Sequence, residues 1–248
     1  MKNKIGWCSM TFNPVWGCRN KCPYCYARAI AKRFWKQRYN DEFNFYYMAH
    51  PNWVWTGDYL SGLKNFKPTF LYSQYAKKFP QKPQKIFVGS MSEIYYWENE
   101  WIERVIEKVK QYPQHIFIFL TKHPGVYAPW VWPENCWLGV TMTSEVNLNA
   151  FDYSTNRDNI KYVSYEPLLN EIILTDYLEP RIMPVDWVII GAETGNRKGK
   201  IIPKKVWIEN IVNYCKWNNI PIYLKDSVLL GNIKNIYPEE IKMFPEAK

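Results

Sequence analysis

The sequence predicts an α/β fold built from repeated strand–helix units. Short apolar runs recur along the 248-residue chain, each followed by a polar loop and often by a helical stripe. Most of these runs are near-continuous in hydrophobic residues rather than alternating, the pattern of parallel strands buried on both faces. No obvious linker splits the chain, so 1–248 reads as one domain. Strand-then-helix repetition points to a βα barrel, full or partial, with a doubly wound open sheet as the competing arrangement.

The elements follow in order. "TFNPVWGC" (11–18) reads as a short strand running into a loop rich in cysteine. From Tyr26 onward, Ala27, Ile30, Ala31 and Phe34 recur at helical spacing and mark one face, with Arg28, Lys32 and Arg33 outside it. Residues 39–66 follow neither period, and Pro51, Gly57 and Gly62 interrupt them; they read as an aromatic-rich insertion or lid. "KIFVGS" (85–90) is a strand, followed by a helical stripe of Trp101, Ile102, Val105, Ile106 and Val109. That helix starts acidic (Glu98, Glu100, Glu103) and ends basic (Lys108, Lys110), which suits its dipole. "HIFIFLTK" (115–122), "CWLGVTMT" (136–143), "IKYVSYE" (160–166) and "DWVIIGAE" (186–193) are further strands. Pro203 opens a helix whose apolar face is Trp207, Ile208, Ile211, Val212 and Cys215, and "PIYLK" (221–225) is a last strand.

In a βα barrel, chemistry sits at the C-terminal ends of the strands. Here those ends carry Ser90, Ser92 and Glu93, then Thr121 and Lys122, then Thr141, Thr143 and Ser144, then Glu166, then Gly191 and Glu193, and finally Lys225 and Asp226. Any one of them could be a helix cap or a surface ion pair. Six strand ends that all finish in polar residues point to a binding rim. Lys122, Glu166, Glu193 and Lys225 are the candidates for gripping substrate or cofactor, or for moving protons.

Aromatic residues are abundant, with 13 Trp, 19 Tyr and 12 Phe, so some rings are expected near the surface as well as in the core. The net charge of +9 is unevenly placed. Residues 1–40 hold nine basic residues and no acid, while the rest balances at 23 against 23. An anionic partner such as a nucleic acid would be drawn to that segment; the plainer reading is a solvated helix face. No apolar run approaches the ~20 residues of a membrane span, and the first residues lack a continuous apolar signal segment. A transit peptide is also basic and acid-poor, but the cysteines lie inside the segment and would be cut away with it. Cys8, Cys136 and Cys215 are scattered without motif spacing, which favours a reducing, cytoplasmic setting.

"GCRNKCPYCYARAIAKR" (17–33) places Cys18, Cys22 and Cys25 within eight positions, as C-x-x-x-C-x-x-C. Structural zinc wants four ligands, usually as two pairs, and the nearest His is His50. Cys22-Pro-Tyr-Cys25 matches a redox dithiol, but such domains are far shorter and leave Cys18 without a role. Three packing cysteines so close together would be unusual. The fourth reading is a [4Fe–4S] cluster, normally held by four thiolates; three ligands leave one iron open to a small molecule.

This spacing, followed by a helix and set near the start of a βα-repeat chain, resembles the radical S-adenosylmethionine superfamily. The resemblance implies a partial (β/α)6 TIM-like barrel, with the seventh strand as a C-terminal addition. It implies a [4Fe–4S] cluster on Cys18, Cys22 and Cys25, with S-adenosylmethionine chelated at the open iron and cleaved by one electron to a 5′-deoxyadenosyl radical. Tyr24 would neighbour that cofactor. "GSMSE" (89–93) stands where the superfamily has a Gly-Gly-Glu-like segment, so Ser90, Ser92 and Glu93 inherit contacts to the methionine moiety, although the second Gly is replaced. Thr141 and Thr143 would meet the ribose, and Val163 to Glu166 the adenine. An electron donor such as flavodoxin or ferredoxin is implied as a partner.

A narrower resemblance, carried by "FNPVWGC", "CYARAIAKR", "IFVGSMSE", "FLTKHP", "WLGV", "SYEPLL", "DWVIIGAETG" and "YLKD", is to the phage- and prophage-associated three-cysteine-motif proteins. Their reaction is unassigned. The chain departs from them in a shorter first cysteine spacing, the insert at 39–66, and "YLKDS" in place of Lys followed by Gln and Trp. The favoured expectation is a radical enzyme that modifies a nucleic-acid base or nucleotide. The alternatives are a radical enzyme acting on a peptide or small metabolite, and an iron–sulfur protein that binds nucleic acid or senses redox state without turnover.

Overall fold

The computed structural model describes residues 5–49, 57–143, 158–172, 185–229 and 241–246. Ser144 and residues 50–56 of the expected insertion lie outside them. The fold is mixed α/β, and the chain divides into two units. The first is Cys8–Leu120; the second runs from Thr121 onward and takes in residues 5–7.

In the first unit, strand β1 (Met10–Phe12) is followed by β2 (Val15–Trp16). The single strand expected over 11–18 is therefore two. Pro14 lacks an N–H and ends the first ladder, while the Asn13 side-chain oxygen accepts from Ser90 Oγ at 3.0 Å and Met91 N at 3.2 Å. Helix α1 (Tyr26–Ala49), helix α2 (Gly57–Lys64), strand β3 (Thr69–Phe70) and the short helix α3 (Tyr72–Tyr75) follow. Then come β4 (Lys85–Val88), α4 (Asn99–Lys110) and β5 (Ile116–Thr121). β4 pairs in parallel with both β1 and β5, and β2 pairs antiparallel with β3.

Two expectations change here. The stretch read as aperiodic from 39 onward is helix on both sides of 50–56. Its apolar period fails because a buried position of α1 is a carboxylate. Glu42 is fully buried and accepts from Ser73 N at 3.1 Å and from the Ser73 hydroxyl. Burial pushes this carboxyl above its ordinary pKa, while the Ser73 donors and Arg38 oppose the shift. The expected apolar face of α1 is also only half right. Ala27 and Ala31 are buried against Trp16, Leu63, Phe66, Leu71 and Met91, but Ile30 and Phe34 are about two-fifths exposed. Helix α4 ends in Lys108 and Lys110 as expected, and Lys108 packs inward. It is buried; its ammonium donates to Lys77 O at 2.7 Å and to Tyr75 O, and lies 4.9 Å from the Tyr75 ring centre.

The second unit holds four parallel strands: β6 (Cys136–Thr141), β7 (Lys161–Tyr165), β8 (Trp187–Ile190) and β9 (Ile222–Leu224). Helix α5 (Lys205–Trp217) enters between the last two, with Ile208, Ile211, Val212 and Cys215 buried as the spacing predicts. The short helix α6 (Asp226–Leu229) follows β9. One face of this sheet is an aromatic cluster. Trp187 is fully buried and meets Trp7, Trp137, Tyr162, Tyr223 and Phe244 at ring separations of 5.4–6.3 Å. Much of the aromatic excess is thus core packing. Among the described residues no helix is long and apolar enough to cross a membrane.

Candidate metal centre

The cysteine loop is anchored at its start by backbone pairing within the first unit, and its last residue leads directly into α1. Gly17 N donates to Met91 O at 3.0 Å and bridges in parallel to Ser92, while Cys18 N donates to Phe66 O at 2.9 Å. The loop between is stapled by Arg28, whose guanidinium donates to Cys18 O at 3.1 Å and Asn20 O at 2.8 Å and lies 5.0 Å from the Phe66 ring centre. Tyr96 OH completes it by donating to the Asn20 side-chain oxygen at 2.7 Å.

Two of the three thiols receive backbone donors. Asn20 N points at Cys18 Sγ and Arg28 N at Cys25 Sγ, both at 3.3 Å. Cys25 directly precedes α1. All three are free and half-buried. The Cys18 thiol is pushed up to about 11, first by burial and then by repulsion from Glu93, Cys25 and Cys22, with the Asn20 N–H opposing. Tyr24 is half-buried in the same loop. Among the described residues, no three Cys, His, Asp or Glu side chains converge as the ligands of a single metal ion.

The segment after β4 lies against this loop. Ser90 O accepts from Tyr26 OH at 2.8 Å, Ser92 Oγ accepts from Trp97 Nε1 at 3.0 Å, and Glu93 is buried with its carboxylate turned to Tyr95 N. Of these three residues Glu93 is the one whose charge bears on the Cys18 thiol.

The remaining candidates belong to the second unit. Thr141 is opposite Ser164 in the ladder, and Thr143 and Glu166 follow just beyond the ends of their strands. Glu166 and Lys225 form an ion pair across three strands. Gly191 lies between them, and a Cβ there would come within 3.0 Å of Glu166 Cγ and 3.1 Å of Lys225 Cδ. The pair closes because that position has no side chain. Ser164 is buried on the face it shares with Thr141, and its hydroxyl has no partner among the described residues. Val163 is not brought to this group: it is fully buried on the opposite face, the one from which Tyr165 reaches the neighbourhood of Cys215. Lys122 is half-buried just after β5.

Glu193 is buried and already engaged, its carboxylate accepting from Arg197 Nε at 2.6 Å and Nη2 at 2.7 Å. The Arg197 hydrogen bonds hold its pKa below the ordinary 4.5. The native state therefore binds fewer protons than the unfolded chain, and stability from this pair is fully present above about pH 4.5. It is lost as the pH falls through the lower native value. Chemical denaturation of wild type and Glu193→Gln should show a wild-type advantage at pH 7 that shrinks steadily below pH 4.5.

Sequence reasoning gave no role to Asn13, Asn20 and Tyr96, which are uncharged, and read Arg28 only as an outward charge that steers an anion or solvates the helix. The one available signal was position: Asn20 and Arg28 stand two and three residues after cysteines, where a backbone N–H can reach sulfur. No curated protein and no solved structure matches the chain. Residues 2–234 match the model of the family described as "Protein of unknown function (DUF5131)", and the chain belongs to that family.

Proposed function

We propose that this protein is a cytoplasmic radical S-adenosylmethionine enzyme that modifies a nucleic-acid base or nucleotide, on a partial (β/α)6 barrel with an additional C-terminal strand. The observation that carries the reading is the three-thiol loop, with N–H donors on two of its sulfurs and Glu93 beside it. That donor set suits a [4Fe–4S] cluster. A single zinc would need every sulfur ~2.3 Å from one point, whereas a cluster takes each thiolate on a different iron and is tuned by N–H bonds to the sulfurs. When bound, cluster and S-adenosylmethionine supply one-electron cleavage to a 5′-deoxyadenosyl radical.

The residues of the chain divide the remaining work. Cys18, Cys22 and Cys25 hold the metal, and Arg28 keeps their loop in one conformation. Glu93, with Ser90 and Ser92, accepts the cationic amino group of the methionine moiety. Thr141, Thr143 and Ser164 offer hydroxyls to a ribose or substrate. The Glu166–Lys225 pair can give up or take a proton at Glu166 Oε1 or Lys225 Nζ, and Lys122 supplies a further cation. Flavodoxin or ferredoxin is the class of electron donor.

The test is anaerobic reconstitution with iron and sulfide, reduction with dithionite, and addition of S-adenosylmethionine. The expected result is a change in the cluster's EPR signal on adding the cofactor, followed by 5′-deoxyadenosine. An unchanged signal with no cleavage would overturn the enzymatic reading.

A further inference from the structure

Helix α1 carries a surface that neither the core nor the proposed chemistry uses. Ile30 and Phe34 remain about two-fifths exposed. With Trp16, Gln37 and Arg38 they line an open groove of ≈ 280 Å³. Cations and rings are interleaved around it. The Arg38 guanidinium lies 4.9 Å from the Trp16 ring centre and that of Arg33 lies 5.1 Å from Phe34. Outside the lining, on an adjoining flank of α1, Lys36 and Lys64 lie 5.7 and 6.0 Å from Trp35. Arg38 Nη1 pairs with Asp41 at 3.3 Å, but its Nε is buried with no acceptor among the described residues. Exposed Gln37 offers both an amide donor and a carbonyl acceptor at the rim.

We propose that this groove docks single-stranded nucleic acid. An unpaired base stacks on Phe34 and Ile30 beside the Arg38-capped Trp16, Gln37 meets its polar edge, and Arg33, Lys36 and Lys64 neutralise the flanking phosphates. A positively charged groove set with aromatic rings is how unpaired strands are held without a sequence code. An apolar peptide would leave these cations without counter-charges, and a duplex hides the base faces. The charge is complementary: the whole +9 excess lies in residues 1–40, which contain Trp16 and the first half of α1. Placement is suitable too. Phe34 is about 12 Å along α1 from Tyr26, at ~1.5 Å per residue, and Tyr26 follows Cys25 directly. A strand laid along this part of α1 leads toward the cysteine loop. The inference rests on the nucleic-acid substrate proposed above and gives it a docking site.

Fluorescence anisotropy of the full chain with a labelled 12-nucleotide single-stranded RNA, the matching DNA and a duplex tests it. Either single strand should bind more tightly than the duplex, and the tighter one identifies the source of the strand. Phe34→Ala should weaken single-strand binding about tenfold, with Phe34→Leu intermediate. Removing Arg33 and Lys36 together should flatten the salt dependence by about 1.4 in log–log slope, ~0.7 for each phosphate contact. Equal binding of duplex and single strand, or unchanged binding by both Phe34 variants, overturns the proposal. S-adenosylmethionine cleavage without nucleic acid is measured in parallel on wild type. Strand binding without cleavage removes the enzyme and keeps the docking site; cleavage without strand binding does the reverse.

Discussion

Alanine at Cys18, Cys22 or Cys25 is expected to abolish both iron retention and 5′-deoxyadenosine formation, lowering the latter at least a hundredfold, about 2.7 kcal/mol in barrier terms. Each thiol is one of three, so no neighbour can replace it: the other cysteines, Cys8, Cys136 and Cys215, are buried. Cys136 is buried within β6 and Cys215 on the packed face of α5, so both are core side chains rather than members of the cysteine loop. Alanine at Cys136 or Cys215 should therefore leave iron content unchanged and cost about 1 kcal/mol of packing. Iron and sulfide analysis after anaerobic reconstitution, beside product assay by chromatography, separates the two sets. Iron retained in full by Cys18→Ala, Cys22→Ala and Cys25→Ala would remove the three-cysteine centre altogether.

The strands were legible because burial on both faces leaves no alternation to misread. "KIFV", "IFIFLT" and "WVII" are nearly all apolar, and each is a strand inside its expected bounds, ending one to three residues early. The second half of α1 was illegible because periodicity arguments assume apolar anchors. Here a buried anchor is Glu42, held by Ser73 from a helix some thirty residues away. The misreading of Ile30 and Phe34 has the matching cause. Small Ala27 and Ala31 let α1 approach the core closely, and the larger residues beside them are displaced outward.

Charges were legible as numbers and illegible as contacts. Arg28 and Lys108 look alike in a net-charge count. One staples the cysteine loop through two carbonyls; the other is buried among Phe12, Tyr75 and Phe79 with two carbonyls of its own. Long cationic side chains bury their stems, so sequence position does not tell which head reaches water. The Glu166–Lys225 pair shows the same limit. Both residues were expected at the rim, but their meeting depends on Gly191 from a third strand, a relation across the sheet that no local pattern encodes.

Gly17→Ala should be the most damaging single methyl group in the first unit, costing about 4 kcal/mol. Gly17 has φ +107, which disfavours any side chain, and a Cβ there would lie 2.0 Å from Lys67 O and 2.2 Å from Lys67 C. The obstruction is backbone, so no rotamer change relieves it. Nor can the 67–68 segment retreat. Trp16 is paired with Thr69 on one side, and Cys18 N is bonded to Phe66 O on the other, while Gly17 N holds Met91 O from the opposite flank. Dihedral strain of about 1–3 kcal/mol and overpacking of about 1–3 kcal/mol therefore add at one position. In a chain of this size that corresponds to a fall in Tm of about 10 °C. Gly125→Ala, where a Cβ meets nothing within 4 Å, should change stability by less than about 0.5 kcal/mol and serves as the control. Because Cys18 is the next residue, the strain acts first on the cysteine loop. Iron retention in Gly17→Ala should fall at temperatures where circular dichroism still reports a folded chain. A variant with wild-type Tm and full iron content would mean that the backbone around Cys18 has room the structure does not give it.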